Sequence, residues 1–141
     1  MKKNILFVII LIILICSIAG YFLWNKPHID VKSASAIETN ANTLLGVFID
    51  DSVGAKATYL NKVVNVSGTI KKISYNQEHH QIVLLKTSVS DASINCTMET
   101  DKEGLNIGDR VHIKGICAGY IGGDFDMGLL GDVFLIRCYA A

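Results

Sequence analysis

Proline, tryptophan and charged residues are scarce in this chain of 141 residues, which contains one proline, one tryptophan and 18% charged side chains. The low proline content excludes collagen-like and proline-rich proteins. Half of the residues are hydrophobic, which excludes a disordered chain of high net charge. The length allows one ordinary domain and a short appendage.

An excess of positive charge is also missing. The formal net charge is zero, and the chain without Lys2 and Lys3 carries 11 basic and 13 acidic residues. Nucleic-acid binding usually depends on an excess of basic residues that contact phosphates. We therefore expect that nucleic acid is not the ligand of this protein.

Sequence motifs for catalysis and metal binding are absent. The four cysteines have no Cys-x-x-Cys or Cys/His spacing, which argues against a zinc site. Asp124, Asp126 and Gly128 resemble part of a calcium loop, but Gly128 and Leu135 stand where the EF-hand order requires ligands. No Ser-His-Asp, paired-carboxylate or phosphate-loop pattern occurs. We therefore predict no enzymatic activity, no metal and no cofactor.

Residues 5–24 form the longest stretch without a charged side chain. A helix of this length is about 30 Å long, which matches the hydrocarbon core of a bilayer. Lys2 and Lys3 precede the stretch, while Tyr21 and Trp24 lie at its far end, where aromatic rings prefer the headgroup level. We predict that residues 1–24 are an uncleaved transmembrane anchor, followed by a linker over residues 25–33.

Two alternatives to an uncleaved anchor remain open. Small residues at Ser17 and Ala19 fit a signal-peptidase site, although the apolar run continues to Trp24. Cys16 would be the lipidated residue of a lipoprotein, but Ile15 stands where a small residue is expected.

Helical periodicity follows over residues 34–60. We predict a first helix from Ala34 to Phe48, capped by Ser33 or Ser35 with Glu38, and a second short helix from Val53 to Leu60. The apolar stripe of the first helix comprises Ile37, Ala41, Leu44, Leu45 and Phe48. This stripe either packs against the domain that follows or is presented to a partner protein.

Alternation of apolar and polar residues predicts five strands after Leu60. The first covers residues 62–75 and slips in phase at Lys71 and Lys72, which indicates a bulge. The other four are expected over residues 81–87, 93–98, 110–118 and 133–140. Closure into a small barrel would remove the open edges, so we predict a mainly β chain with a five-stranded OB-fold barrel over residues 61–141.

Several segments resemble a known family. Tyr59–Ile70 and Leu105–Cys117 resemble the first and fourth strands of the tRNA_anti-like family of OB-fold proteins. Asn25–His28 is similar to the stretch that follows the apolar helix in membrane-anchored members. The resemblance implies an OB fold and carries no catalytic residue. Together with the positive-inside rule it implies a single-pass protein of a bacterial inner membrane, with its C-terminal domain facing the periplasm or exterior.

Two loops of an OB barrel lie beside its usual ligand face, namely the first turn and the loop between the fourth and fifth strands. Aromatic rings there can stack on a flat ligand, and polar side chains can bind it. The candidate contact residues are Tyr75, His79, His80, Tyr120, Asp124, Phe125 and Asp126.

Three cysteines follow the anchor. Cys117 and Cys138 fall on strands that are neighbours in an OB barrel, so they could form a disulfide and leave Cys96 as a free thiol. The alternative is three small, buried, reduced side chains.

These observations predict a membrane-anchored extracytoplasmic OB-fold binding module that engages a protein partner of the bacterial envelope. The alternative is an oligonucleotide- or oligosaccharide-binding OB domain. A cluster of Lys71, Lys72, Lys86 and Lys114 on one face of the barrel would support that alternative.

Overall fold

The computed structural model describes residues 2–25, 29–124 and 126–141. Their helices are α1 (Lys2–Trp24), α2 (Ala41–Asp50) and α3 (Ser52–Tyr59). Their strands are β1 (Ile37–Asn40), β2 (Val63–Tyr75), β3 (Gln81–Lys86), β4 (Ser93–Met98), β5 (Arg110–Ile121) and β6 (Asp132–Ala140).

Helix α1 is long and apolar enough to cross a bilayer. An 18-residue window within Lys3–Trp24 has a mean hydropathy of 3.0, and no part of that window is buried against the rest of the chain. A signal sequence near an N-terminus has the same length and composition. The predicted apolar helix is therefore present.

The barrel closes because β2 changes partner along its length. Its residues 63–69 pair antiparallel with β5, and its residues 70–75 pair antiparallel with β3. The register shifts between Ile70 and Lys72, as the phase slip in the sequence predicted. Strands β3, β4, β6 and β5 complete the ring, with β4 and β6 parallel. The predicted five-stranded OB barrel is confirmed.

Helices α2 and α3 pack onto one end of this barrel. Leu44, Leu45 and Phe48 of α2 are at most 1% exposed. They join the core with inward residues of β2, β4 and β6. Gly68 permits the close approach, since a Cβ atom there would lie 3.2 Å from the Cβ atom of Ala41. The apolar stripe therefore packs against the barrel and is not presented to a partner.

The first helix begins later than predicted. Ile37–Asn40 forms β1, a short strand parallel to β2 with Ile37 opposite Val64. The N-cap of α2 is Asn40, whose side chain accepts a hydrogen bond from Thr43 N at 2.9 Å. In this segment, strand pairing with β2 is favoured over the helix that the periodicity predicted. The pairing supplies hydrogen-bond partners for the backbone N–H and C=O groups of β1, and it half-buries Ile37.

Part of the predicted linker is attached to the barrel. Val31 is 2% exposed and packs with Val63 and Ile116 in a small second core. Lys114 Nζ donates to the carbonyl oxygen of Lys32 at 3.0 Å. Residues 26–28 of the predicted linker lie outside the described residues. The chain is thus held to the barrel from Val31 onward.

Candidate functional site

The predicted contact residues do not form one site. Tyr75, His79 and His80 lie where β2 turns into β3. The loop that holds Asp124 and Asp126 leads into β6, whose first residues lie beside the first residues of β4. Because β3 and β4 are antiparallel, the two loops leave the barrel at opposite ends of β3, about 17 Å apart along that strand. Contact of any of these residues with a ligand stays a prediction.

Tyr120 supports the fold instead of facing solvent. Its ring stacks on Phe48 with a centroid distance of 6.2 Å. Its hydroxyl accepts a hydrogen bond from Gly131 N at 2.9 Å, which ties the β5–β6 loop together. Sequence alone did not reveal this role, because Phe48 is far away along the chain.

Asp124 shapes the same loop through local hydrogen bonds. Its side chain accepts from Asp126 N at 3.0 Å, and its carbonyl oxygen accepts from Met127 N and Leu129 N. Asp126 is exposed, and Phe125 lies outside the described residues. Such a turn is a structural feature of many loops.

The first turn is organised by Asn76. Its side-chain oxygen accepts from Glu78 N and His80 N. His79 adopts a left-handed φ of 64°, and His80 Nε2 lies 4.0 Å from a carboxylate oxygen of exposed Glu78. Tyr75 is 60% exposed. Over the ranges the structure describes, no group of three His, Cys, Asp or Glu side chains could hold a metal ion.

Cys117 and Cys138 are free thiols in the structure, which agrees with the alternative of buried, reduced cysteines, and a disulfide between them stays a prediction. Cys117 lies opposite Leu135, whereas Cys138 lies opposite Met98 on the other neighbour of β6. Cys96 Sγ donates to Ile94 O at 4.0 Å, and the neighbouring Cys138 thiol raises the pKa of Cys96. Strand adjacency alone suggested the bridge, but the register, with two irregularities between β5 and β6, decides the pairing.

A groove that the sequence did not indicate opens in the barrel wall. Strand β1 ends opposite Ser67, and the β3 register begins opposite Ile70, so Gly68 and Thr69 lie between two strand ends. Two adjoining cavities of about 450 and 460 Å³ meet there and share Thr69 and Lys86. We call these two cavities the wall groove.

The first cavity of the wall groove is polar. Its lining includes Asn40, Asn42, Ser67, Thr69, Lys86 and Arg110. The second cavity has mainly apolar walls that include Ile70, Val89 and Ile107, with Lys71 and Lys86 at its border. A cavity of this size with few polar groups at defined positions is typical of a ligand site.

The cations of the groove are available for binding. Lys86 and Arg110 are exposed. The ion pairs among the described residues join His80 to Glu78 and Arg137 to Glu99, so neither cation of the groove is neutralised by a carboxylate in that part of the chain. Lys71 Nζ donates to Ser90 O at 2.7 Å.

A row of basic side chains extends the groove along β5. Arg110, His112 and Lys114 point outward, while Val111 and Ile113 between them are buried. We call these three outward residues the β5 row. Alternation in the sequence could have identified the row. Of the four lysines named above, Lys71 and Lys86 line the groove, whereas Lys72 and Lys114 do not.

The closed five-stranded barrel is an OB-type fold, an architecture typical of binding modules. The chain belongs to the tRNA_anti-like family, whose family model matches residues 1–132. No curated protein matches the sequence.

Among solved structures, the chain is similar to a putative aspartyl-tRNA synthetase from Leishmania major Friedlin. The two share 5% sequence identity with a TM-score of 0.43. The match covers 88% of this chain and 25% of the synthetase chain. This chain thus spans about a quarter of that protein's length.

Replacement of Tyr120 by Ala should destabilise the barrel. The change removes the stacking on Phe48 and the hydrogen bond to Gly131, so we expect the free energy of unfolding to fall by about 2–4 kcal/mol. Urea denaturation of the full chain in detergent micelles, followed by circular dichroism, measures it. Tyr75→Ala is the control, with an expected loss below about 0.5 kcal/mol. Equal losses for both variants would contradict a structural role of Tyr120.

The buried thiols should resist alkylation. The neighbouring Cys138 thiol and burial raise the pKa of the Cys96 thiol well above its ordinary value, and burial raises the pKa of Cys117. Both raised values favour the neutral thiol in the folded state. Their contribution to stability is therefore complete below the ordinary thiol pKa of about 8.5 and is lost as pH rises through the folded pKa.

We expect iodoacetamide to modify Cys96 and Cys117 only after unfolding, and we expect the free energy of unfolding to decline above about pH 8.5. Mass spectrometry of the alkylated peptides, native against denatured, gives the result. A native mass lower by the two hydrogens of a disulfide would contradict the free thiols.

Proposed function

We propose that this protein is a membrane-anchored, non-enzymatic OB-fold module that binds an acidic, extended segment of a partner protein on the outer side of a bacterial inner membrane. The observation that carries the proposal is the pair of exposed, unneutralised cations Lys86 and Arg110 in the wall groove. Carboxylates are their natural counter-ions, and arginine can bind a carboxylate with two parallel hydrogen bonds.

The geometry of the β5 row supports an extended ligand. Alternate residues of a strand are about 6.7 Å apart, so Arg110, His112 and Lys114 are spaced like alternate side chains of an extended peptide. Ser67 and Thr69 lie opposite His112 and Arg110 on β2 and add hydroxyl groups to the same face. An acidic peptide running along β5 would present a carboxylate to each basic side chain.

The composition of the groove argues against a single-stranded nucleic acid. Proteins that bind such strands combine positive charge with aromatic side chains on which the bases stack. Neither cavity of the wall groove has an aromatic residue among its described lining. Tyr75, which is exposed, lines a separate cavity with Asp101 and Glu103. An oligonucleotide or oligosaccharide remains the alternative ligand, and the experiment below tests the oligonucleotide.

Attachment of the chain at Val31 supports a role close to the bilayer. Six residues lie between Trp24, at the end of α1, and Val31, and the seven Cα-to-Cα steps span at most about 25 Å when fully extended. If α1 crosses the membrane, the barrel is therefore held near its surface. The anchor would then act by confining the groove to a thin layer above the membrane, where it meets membrane-bound partners.

The full chain should behave as an uncleaved, single-pass membrane protein. We expect it to stay in the membrane fraction after alkaline carbonate extraction, and protease added to spheroplasts should digest the barrel. The matched control replaces Ile10 and Leu14 by Lys, which costs about 5–7 kcal/mol of insertion energy and should release the chain. A product shortened by the first 19 residues, or a barrel protected from protease, would contradict the anchored arrangement.

Charge reversal in the groove should weaken binding of an acidic peptide. We expect the full chain in detergent micelles to bind a fluorescent deca-glutamate peptide with an affinity that falls as salt rises. Lys86→Glu combined with Arg110→Glu should raise the Kd at least about tenfold, since two attractions become repulsions. Fluorescence anisotropy provides the measurement.

Lys56→Glu, which reverses one exposed charge on α3 outside the groove, is the control and should change the Kd far less than the double variant. A competing deca-thymidylate tests the alternative function. If the oligonucleotide binds more tightly than the peptide, the protein is an oligonucleotide-binding module and our proposal is wrong. Our proposal is also wrong if neither ligand binds at low salt.

A further inference from the structure

The second cavity of the wall groove has a feature that charge alone does not explain. Its floor is Ile70, which is 1% exposed, and its walls include half-buried Val89. Ile107 stands at its border and is 69% exposed. Large apolar side chains at the border of an apolar cavity are characteristic of a binding surface rather than of a solvated loop.

Hydrogen bonds hold Ile107 at this position. Gly108 N donates to Ile70 O at 2.9 Å, with Gly108 at a φ of 95°. Asp109 Oδ2 accepts from Asn106 N at 3.0 Å and closes the turn on the other side. The isoleucine is therefore placed by a turn that is bonded to β2, so that its exposed position is already formed before any ligand binds.

Two cationic side chains border this cavity. Lys71 and Lys86 both line it, and the ammonium group of Lys71 is fixed by its bond to Ser90 O. Lys86 also lines the polar cavity beside Arg110. These cations would favour a ligand that carries negative charge next to its apolar group.

We infer that the apolar cavity receives one large apolar side chain of the acidic partner segment, with carboxylates on both sides of it paired to Lys71, Lys86 and Arg110. The inference rests on the proposed function and adds specificity to it: the groove selects an acidic sequence interrupted by leucine, methionine or phenylalanine. The β5 row supplies charge attraction, and the cavity supplies the sequence preference.

Two synthetic peptides test the inference. One is a deca-glutamate in which a central residue is leucine, and the other carries serine at the same position, so that their charges are equal. We expect the full chain in detergent micelles to bind the leucine peptide at least about tenfold more tightly, since burial of a leucine side chain contributes more than one factor of ten in affinity.

Ile107→Asp should abolish the preference for leucine without unfolding the barrel, because the side chain is exposed. Val53→Asp is the matched control: Val53 is 81% exposed on α3 and lines neither cavity of the groove. The preference should survive in this variant.

The outcomes separate the two proposals. Equal, salt-dependent binding of both peptides to the native chain would overturn the apolar cavity as a specificity site and leave the acidic-segment function intact. A preference for leucine that Ile107→Asp does not change would overturn the cavity assignment too. Binding of neither peptide would overturn the proposed function, and the inference with it.

Discussion

The change of partner along β2 is the constraint on which the barrel depends. One strand pairs with β5 over residues 63–69 and with β3 over residues 70–75, so the sheet closes on itself and loses two open edges. The register shift between Ile70 and Lys72 is a bulge that bends β2 between its two partners. Because β1 and β3 leave Gly68 and Thr69 uncovered between them, the same change of partner also creates the wall groove.

Packing at the helical end of the barrel gives some of the predicted contact residues a structural role. Phe48 enters the core and stacks on Tyr120, whose hydroxyl accepts a hydrogen bond from the β5–β6 loop. The side chain of Asp124 likewise accepts a hydrogen bond within its own turn. The candidate site that we propose lies on β2 and β5, where the wall groove has exposed cations.

Net charge and local charge give opposite indications in this protein. The whole chain is neutral, yet Arg110, His112 and Lys114 point outward from one strand and lead to Lys86 across the groove. Total charge governs solubility and nonspecific association, whereas recognition depends on the field at a particular surface. Alternation along β5 concentrates basic side chains on one side, because inward positions are reserved for the core.

Local patterns in the sequence determined the apolar helix, the strands from Val63 onward and the bulge at Lys71, because each depends on periodicity over neighbouring residues. The OB barrel followed from the number of strands and the cost of open edges. Tertiary structure decided what depends on residues far apart: Ile37–Asn40 is a strand because it pairs with Val64–Ser67. It also decided the register that places Cys138 opposite Met98 and Cys117 opposite Leu135. Tertiary structure also decided the wall groove, because the opening exists only where the strand register leaves a gap between the end of β1 and the end of β3 along β2.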